Sequence, residues 1–80
     1  ENSDNILLFP NPTSSYIRLR NLDVDQIFIQ NINGNVFPNV QFSKAGRDII
    51  VNCNILPVGQ YTIRLMSKSR YIGTKKFIKL

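Results

Sequence analysis

Histidine is absent from this 80-residue chain, and with it the commonest general base near neutral pH. Cysteine occurs once, at Cys53, so no disulfide within the chain can brace the fold. Acidic residues are few, five against ten lysines and arginines, which leaves a formal charge of +5 and a pI of 9.8. No run approaches the ~20 apolar residues that a membrane-spanning helix needs. Nowhere do apolar residues recur at the i, i+3, i+4, i+7 spacing of an amphipathic helix. These gaps exclude a disulfide scaffold, a helical bundle and a spanning helix, and they leave little for catalysis. A chain this short buries only roughly 60% of its unfolded surface, so its one core has to be complete.

What is present is period-two alternation. In "YIRLR", Ile17 and Leu19 share one face against Tyr16, Arg18 and Arg20; in "QYTIRLM", Tyr61, Ile63 and Leu65 oppose Thr62, Arg64 and Met66. That period over five or more residues marks half-buried strands. "DIIVNC" places Ile49, Val51 and Cys53 together, and "IFIQNINGNVF" reads as two strands around a type I′ turn at Asn33-Gly34. Gly46 and the run from Ser67 to Arg70 read as further turns. The pattern predicts about seven strands, over 6–9, 16–20, 25–31, 35–42, 48–53, 60–66 and 71–79. Seven short strands at this length predict a small immunoglobulin-like antiparallel β-sandwich. The polar opening, Glu-Asn-Ser-Asp-Asn over 1–5, reads as the end of a linker from an upstream domain, with the folded unit over 6–80.

Candidate chemistry is sparse. Cys53 would need a lowered pKa to act as a nucleophile, and its alternation with Ile49 and Val51 points it into the core instead. Asp23 and Asp25 lack the further oxygen ligands and the glycine of a calcium loop, so they read as strand-edge or turn residues, and no metal or other cofactor is expected. Asn11-Pro12-Thr13 fails as a glycosylation acceptor because proline fills the middle position. Arg18, Arg20 and Arg64 lie on outward faces, and Lys68, Arg70, Lys75, Lys76 and Lys79 crowd the last hairpin. Single-strand binders interleave aromatic platforms with such charges. Here only Tyr16 and Tyr71 are placed to serve, so no nucleic-acid partner is expected.

Two turn motifs stand out. In "LLFPNPTSSYIRL", Pro10 ends ladder pairing and Pro12 fixes φ again around Asn11, which forces a rigid turn. In "ILPVGQYTIRL", Leu56 plugs the core, Pro57 and Gly59 shape a corner, and Tyr61 opens a strand in the setting of a tyrosine corner. With "NINGNVF" between them and "TKKFIKL" at the end, the four stretches in this order resemble the type A C-terminal sorting domain of type IX secretion, found in Bacteroidetes. The resemblance spans Ile6 to Leu80. Val58 stands where the family often has a small residue, and Asn35 where it often has lysine; neither alters the turns.

That resemblance implies a passport for an upstream cargo. The cargo reaches the periplasm by a signal peptide, and the outer-membrane type IX machinery recognises the folded domain. A sortase-like cysteine peptidase then usually removes the domain and attaches the cargo to surface lipopolysaccharide. Carried onto this chain, the recognised residues are Gly73, Thr74, Lys75, Lys76, Phe77, Ile78, Lys79 and Leu80. A terminal edge strand also allows β-augmentation by a partner, or a homodimer. The alternative is a sandwich retained on a cell-surface protein or secretion-system subunit as a docking module.

Overall fold

The computed structural model describes residues 6–20 and 23–80; the expected linker over 1–5 lies outside the described residues. Among the described residues, seven strands form two antiparallel sheets. One has the order β1 (Leu7–Phe9), β2 (Tyr16–Arg20), β5 (Asp48–Asn52), β4 (Phe42–Ala45); the other has β3 (Gln26–Asn31), β6 (Gly59–Ser67), β7 (Arg70–Lys79). No helix occurs among the described residues. The expected β-sandwich is the observed architecture.

Alternation builds the core. Ile17, Leu19, Ile49 and Val51 from the first sheet, and Ile29, Ile63, Leu65 and Phe77 from the second, are at most 1% exposed. The period-two pairing Ile17↔Val51 and Leu19↔Ile49 keeps each apolar residue opposite another on the same face. Each such burial is worth about 1.5–3 kcal/mol before conformational entropy is counted. Val24, Val40, Cys53 and Leu56, from connecting segments, close the ends of the same cluster.

Two local expectations are corrected. No strand runs over 35–42: after the turn only Val36 bridges Gln30, Phe37 N–H donates to the Ile29 carbonyl at 2.8 Å, and the chain leaves the sheet at Pro38. Proline has no N–H to continue a ladder, and the next strand, β4, begins only at Phe42. The turn itself is not type I′ at Asn33-Gly34. Gly34 N–H donates to the Asn31 carbonyl at 3.0 Å, so Ile32 and Asn33 are the central residues. Only Gly34 takes a positive φ there (+87°), and Asn31 N–H donates to the Asn35 carbonyl at 3.0 Å across it. That places the glycine at the bulge position that follows a tighter turn.

Positive φ at two successive central residues falls instead on Lys68 (53°) and Ser69 (66°), between β6 and β7. Asp25 helps hold this costly pair, its carboxylate accepting from Lys68 N–H at 2.9 Å. That contact gives Asp25 a turn-stabilising role.

A candidate recognition site at one end of the sandwich

The proline turn folds back onto the last strand. Thr13 forms a parallel bridge with Lys79: Thr13 N–H donates to the Ile78 carbonyl at 2.9 Å, and Leu80 N–H donates to the Thr13 carbonyl at 2.8 Å. The amide oxygen of Asn11 accepts from Ile78 N–H at 3.0 Å. Thr13 is buried; its hydroxyl donates to the Tyr16 carbonyl and accepts from Ser15 N–H at 3.3 Å. The peptide bonds before Pro10 and Pro12 are both cis. Asn11 and Thr13 thus occupy the outer edge of β7 where it ends.

The corner motif holds the same strand from the other side. Tyr61 Oη donates to the Pro57 carbonyl at 2.5 Å. Its ring stacks on Phe77 (centroids 5.5 Å apart, planes at 20°) and meets Phe37 edge-on at 5.6 Å. Burial holds the phenol above its ordinary pKa, and the nearby Cys53 adds to the shift. Gly59 opens β6 directly opposite Lys79. The Lys79 ammonium turns inward and donates to the Leu56 carbonyl at 3.1 Å, leaving the residue 7% exposed. Cys53 lies close enough to feel that charge. Burial nevertheless pushes its thiol up to about 11, against the pull of Lys79 and a backbone hydrogen bond from Ile17. A thiol held neutral in this way is a packing group and not a nucleophile.

All four motifs meet in one groove. Asn11 of the proline turn, Ile32 of the hairpin, Gln60 of the corner and Ile78 of the last strand line a cleft of about 270 Å³, with Lys76 at its side. The apolar side chains around this end stand in water: Ile32 is 76% exposed, Val58 77% and Leu80 60%. Lone exposed apolar residues are ordinary, whereas several gathered at one end of a small domain mark a contact surface.

The strand over 73–80 is therefore not uniform. Phe77 and Lys79 are buried beneath the surface, while Lys76, Ile78 and Leu80 face outward. Lys75 is half-buried on the inward face. Gly73, buried opposite Leu65 beside a β-bulge, and Thr74, whose hydroxyl bonds Tyr71 Oη at 2.8 Å, lie toward the far end of β7. They stand about 14–17 Å from Ile78 at the rise of an antiparallel strand. Asn33 and Gly34 shape the hairpin but stay out of the groove, which takes Ile32 instead. The motifs alone do not single out Thr13, Ile32 or Gln60. An apolar residue left inside a polar turn, as in Asn31-Ile32-Asn33, was the available signal for Ile32; Thr13 had none.

Basic character is reduced on the other sheet. Asp48 pairs with Arg18 at 2.9 Å and lies 3.8 Å from Arg20, whose guanidinium sits over the Phe9 ring at 5.0 Å. With Lys79 inside as well, the last hairpin offers fewer surface cations than its composition suggests. Among the described residues, no group of three or more acidic, cysteine or histidine side chains is placed to hold a metal ion. Among them, too, no helix is long and apolar enough to cross a membrane.

These features define a small immunoglobulin-like sandwich whose distinctive residues are gathered around its final strand. The chain belongs to the secretion system C-terminal sorting domain family, whose model matches residues 7–80. No curated protein and no solved structure matches the chain. It is thus a sorting domain of the type IX secretion system, a system of Bacteroidetes, and its family is a signal family and not a catalytic one. Such a signal marks a protein for export to the cell surface or beyond, through the type IX machinery.

Proposed function

We propose that the domain is the address of a cargo fused ahead of residue 6, with residues 1–5 as the end of the linker. The cargo crosses the periplasm and is carried through the outer membrane. A sortase-like cysteine peptidase then removes the domain and joins the cargo to surface lipopolysaccharide. Within Gly73–Leu80, the machinery meets the outward side chains Lys76, Ile78 and Leu80 together with the groove over Asn11, Ile32 and Gln60. Phe77 and Lys79 hold that surface in place from beneath.

The convergence of the four motifs on one groove supports this reading most. A sandwich needs its turns wherever strands end, but packing alone gives no reason for their exposed apolar side chains to gather at one end. A homodimer through the β7 edge in a register centred on Lys75 or Lys76 would set that lysine against its copy. Like charges directly opposite destabilise strand pairs, which favours a heterologous partner.

The test is a fluorescent reporter with an export signal peptide, fused ahead of Glu1–Leu80, in a bacterium with a working type IX system. The wild-type fusion should reach the surface and lose the domain. Ile32→Asp alters a side chain that is 76% exposed, so it should leave the melting temperature within about 2 °C while trapping the reporter in the periplasm. A reporter that reaches the surface and keeps the domain would favour a retained docking module. Unimpaired export of Ile32→Asp would remove the groove from recognition.

A further inference from the structure

A second feature of β7 lies beyond the groove. Among the described strands β7 is an edge, paired with β6, with the isolated Thr13–Lys79 bridge on its outer side. The Ile78 N–H and carbonyl point away from β6, because Asn11 and Thr13 take them from outside. Backbone direction alternates along an antiparallel ladder, so Lys76 and Thr74 present their N–H and carbonyl groups outward in the same way. The proline turn thus covers the last residues of the edge and stops short of these two.

The open stretch borders a cleft of about 510 Å³ between β1 and β7, one edge strand from each sheet. Ile6 and Leu8 provide an apolar surface there, and Lys75 and Lys76 supply positive charge with no carboxylate among the described lining residues. Lys75 is unusual because it shares the inward face of β7 with Phe77 while lining this cleft. An inward charge on an edge strand discourages pairing with an apolar strand, since its ammonium would be buried without a partner. A carboxylate on the incoming strand removes that penalty. The same charges disfavour a second copy of this chain.

We propose that the β7 edge at Thr74–Lys76 is a strand-addition site for an extended acidic segment of a partner protein. Its backbone pairs with the four free groups and its carboxylates meet Lys75 and Lys76. The identity of that partner as a component of the export machinery rests on the function proposed above; the site itself does not.

The experiment uses the whole chain, Glu1–Leu80, labelled for NMR, and a capped seven-residue valine-rich peptide with two adjacent glutamates at its centre, one for each face of the strand. Saturating peptide should slow amide exchange at Thr74 and Lys76 at least tenfold, and the equivalent peptide with lysine for glutamate should not. Lys76→Pro removes the outward donor together with the Lys76 charge, at a position where an edge strand tolerates proline, and should weaken peptide binding at least tenfold, whereas Lys76→Gln, which loses the charge alone, should weaken it less. Lys75→Glu with Lys76→Glu should reverse the preference between the peptides. Unchanged exchange, equal effects of both peptides, or protection that rises with protein concentration in the absence of peptide would each overturn the proposal. In the reporter assay the charge-reversed pair should lose export while remaining folded. Failure of the wild-type fusion to export would count against the proposed function alone and leave the peptide result standing.

Discussion

Phe77 offers the sharpest separation of fold from recognition. It is 1% exposed, stacks on Tyr61, and lies in the strand on which the four motifs converge. Phe77→Ala removes most of a buried ring, and such truncations cost about 3–5 kcal/mol through lost transfer energy and the residual cavity. Loss of the aromatic pair contributes about 0.5–1.5 kcal/mol of its own. A domain of 80 residues is stable by roughly 4–12 kcal/mol, so the variant should be marginal or unfolded at 37 °C. Phe77→Leu retains much of the apolar volume and should lose no more than about 2 kcal/mol. Urea denaturation followed by far-UV circular dichroism gives both values, and the reporter fusion gives export of the same proteins. Export should follow stability: abolished with alanine, retained with leucine. A Phe77→Ala loss below about 1.5 kcal/mol would refute the core assignment. A folded Phe77→Leu protein that is not exported would show that the ring itself is read by the machinery.

Three further outcomes follow from local geometry. Lys68 and Ser69 both sit at positive φ, where L-residues with a Cβ lose roughly 1–2 kcal/mol each, so Lys68→Asn with Ser69→Gly should stabilise the domain by about 1–2 kcal/mol in urea titrations. Cys53 titrates at about 11 in the folded chain against 9.0 ordinarily, so folding favours the protonated thiol. Its contribution is complete below pH 9 and falls by about 3 kcal/mol as pH rises from 9 through 11; the wild-type minus Cys53→Ala difference in stability should shrink across that window. Asn11→Ala frees Ile78 N–H, and amide exchange at Ile78 and Leu80 should quicken by about tenfold, the equivalent of ~1.4 kcal/mol, while the β3 amides change far less. Equal acceleration throughout the chain would show that the proline turn supports the whole fold and not the strand end.

Alternation and turn chemistry determined much of this protein in advance. The inward faces of β2, β5 and β6 follow from side chains that point alternately to either side of a strand, and Cys53 follows Val51 inside by the same rule. The corner around Tyr61 was legible because Leu56, Pro57, Gly59 and Tyr61 lie within six residues, so their bonds are local. The order of four such motifs was enough to resemble the sorting family.

Only the tertiary structure decided what those motifs touch. Asn11 reaches Ile78 across a sequence separation of 67, a pairing set by sheet order and invisible to any short window. The same holds for β7: its register opposite Gly59–Ser67 puts Phe77 and Lys79 inside and Ile78 outside, where the local pattern allowed either Phe77 or Ile78. A lysine near the end of a basic strand looks like a surface charge, yet the backbone carbonyl of Leu56 meets its ammonium inside. The asparagine-glycine pair also yielded its expected turn to Lys68 and Ser69, because the long β6–β7 pairing fixes the geometry there whatever residues it meets. Local sequence sets which way a side chain points along a strand; non-local hydrogen bonding sets which strand, and which partner, it faces.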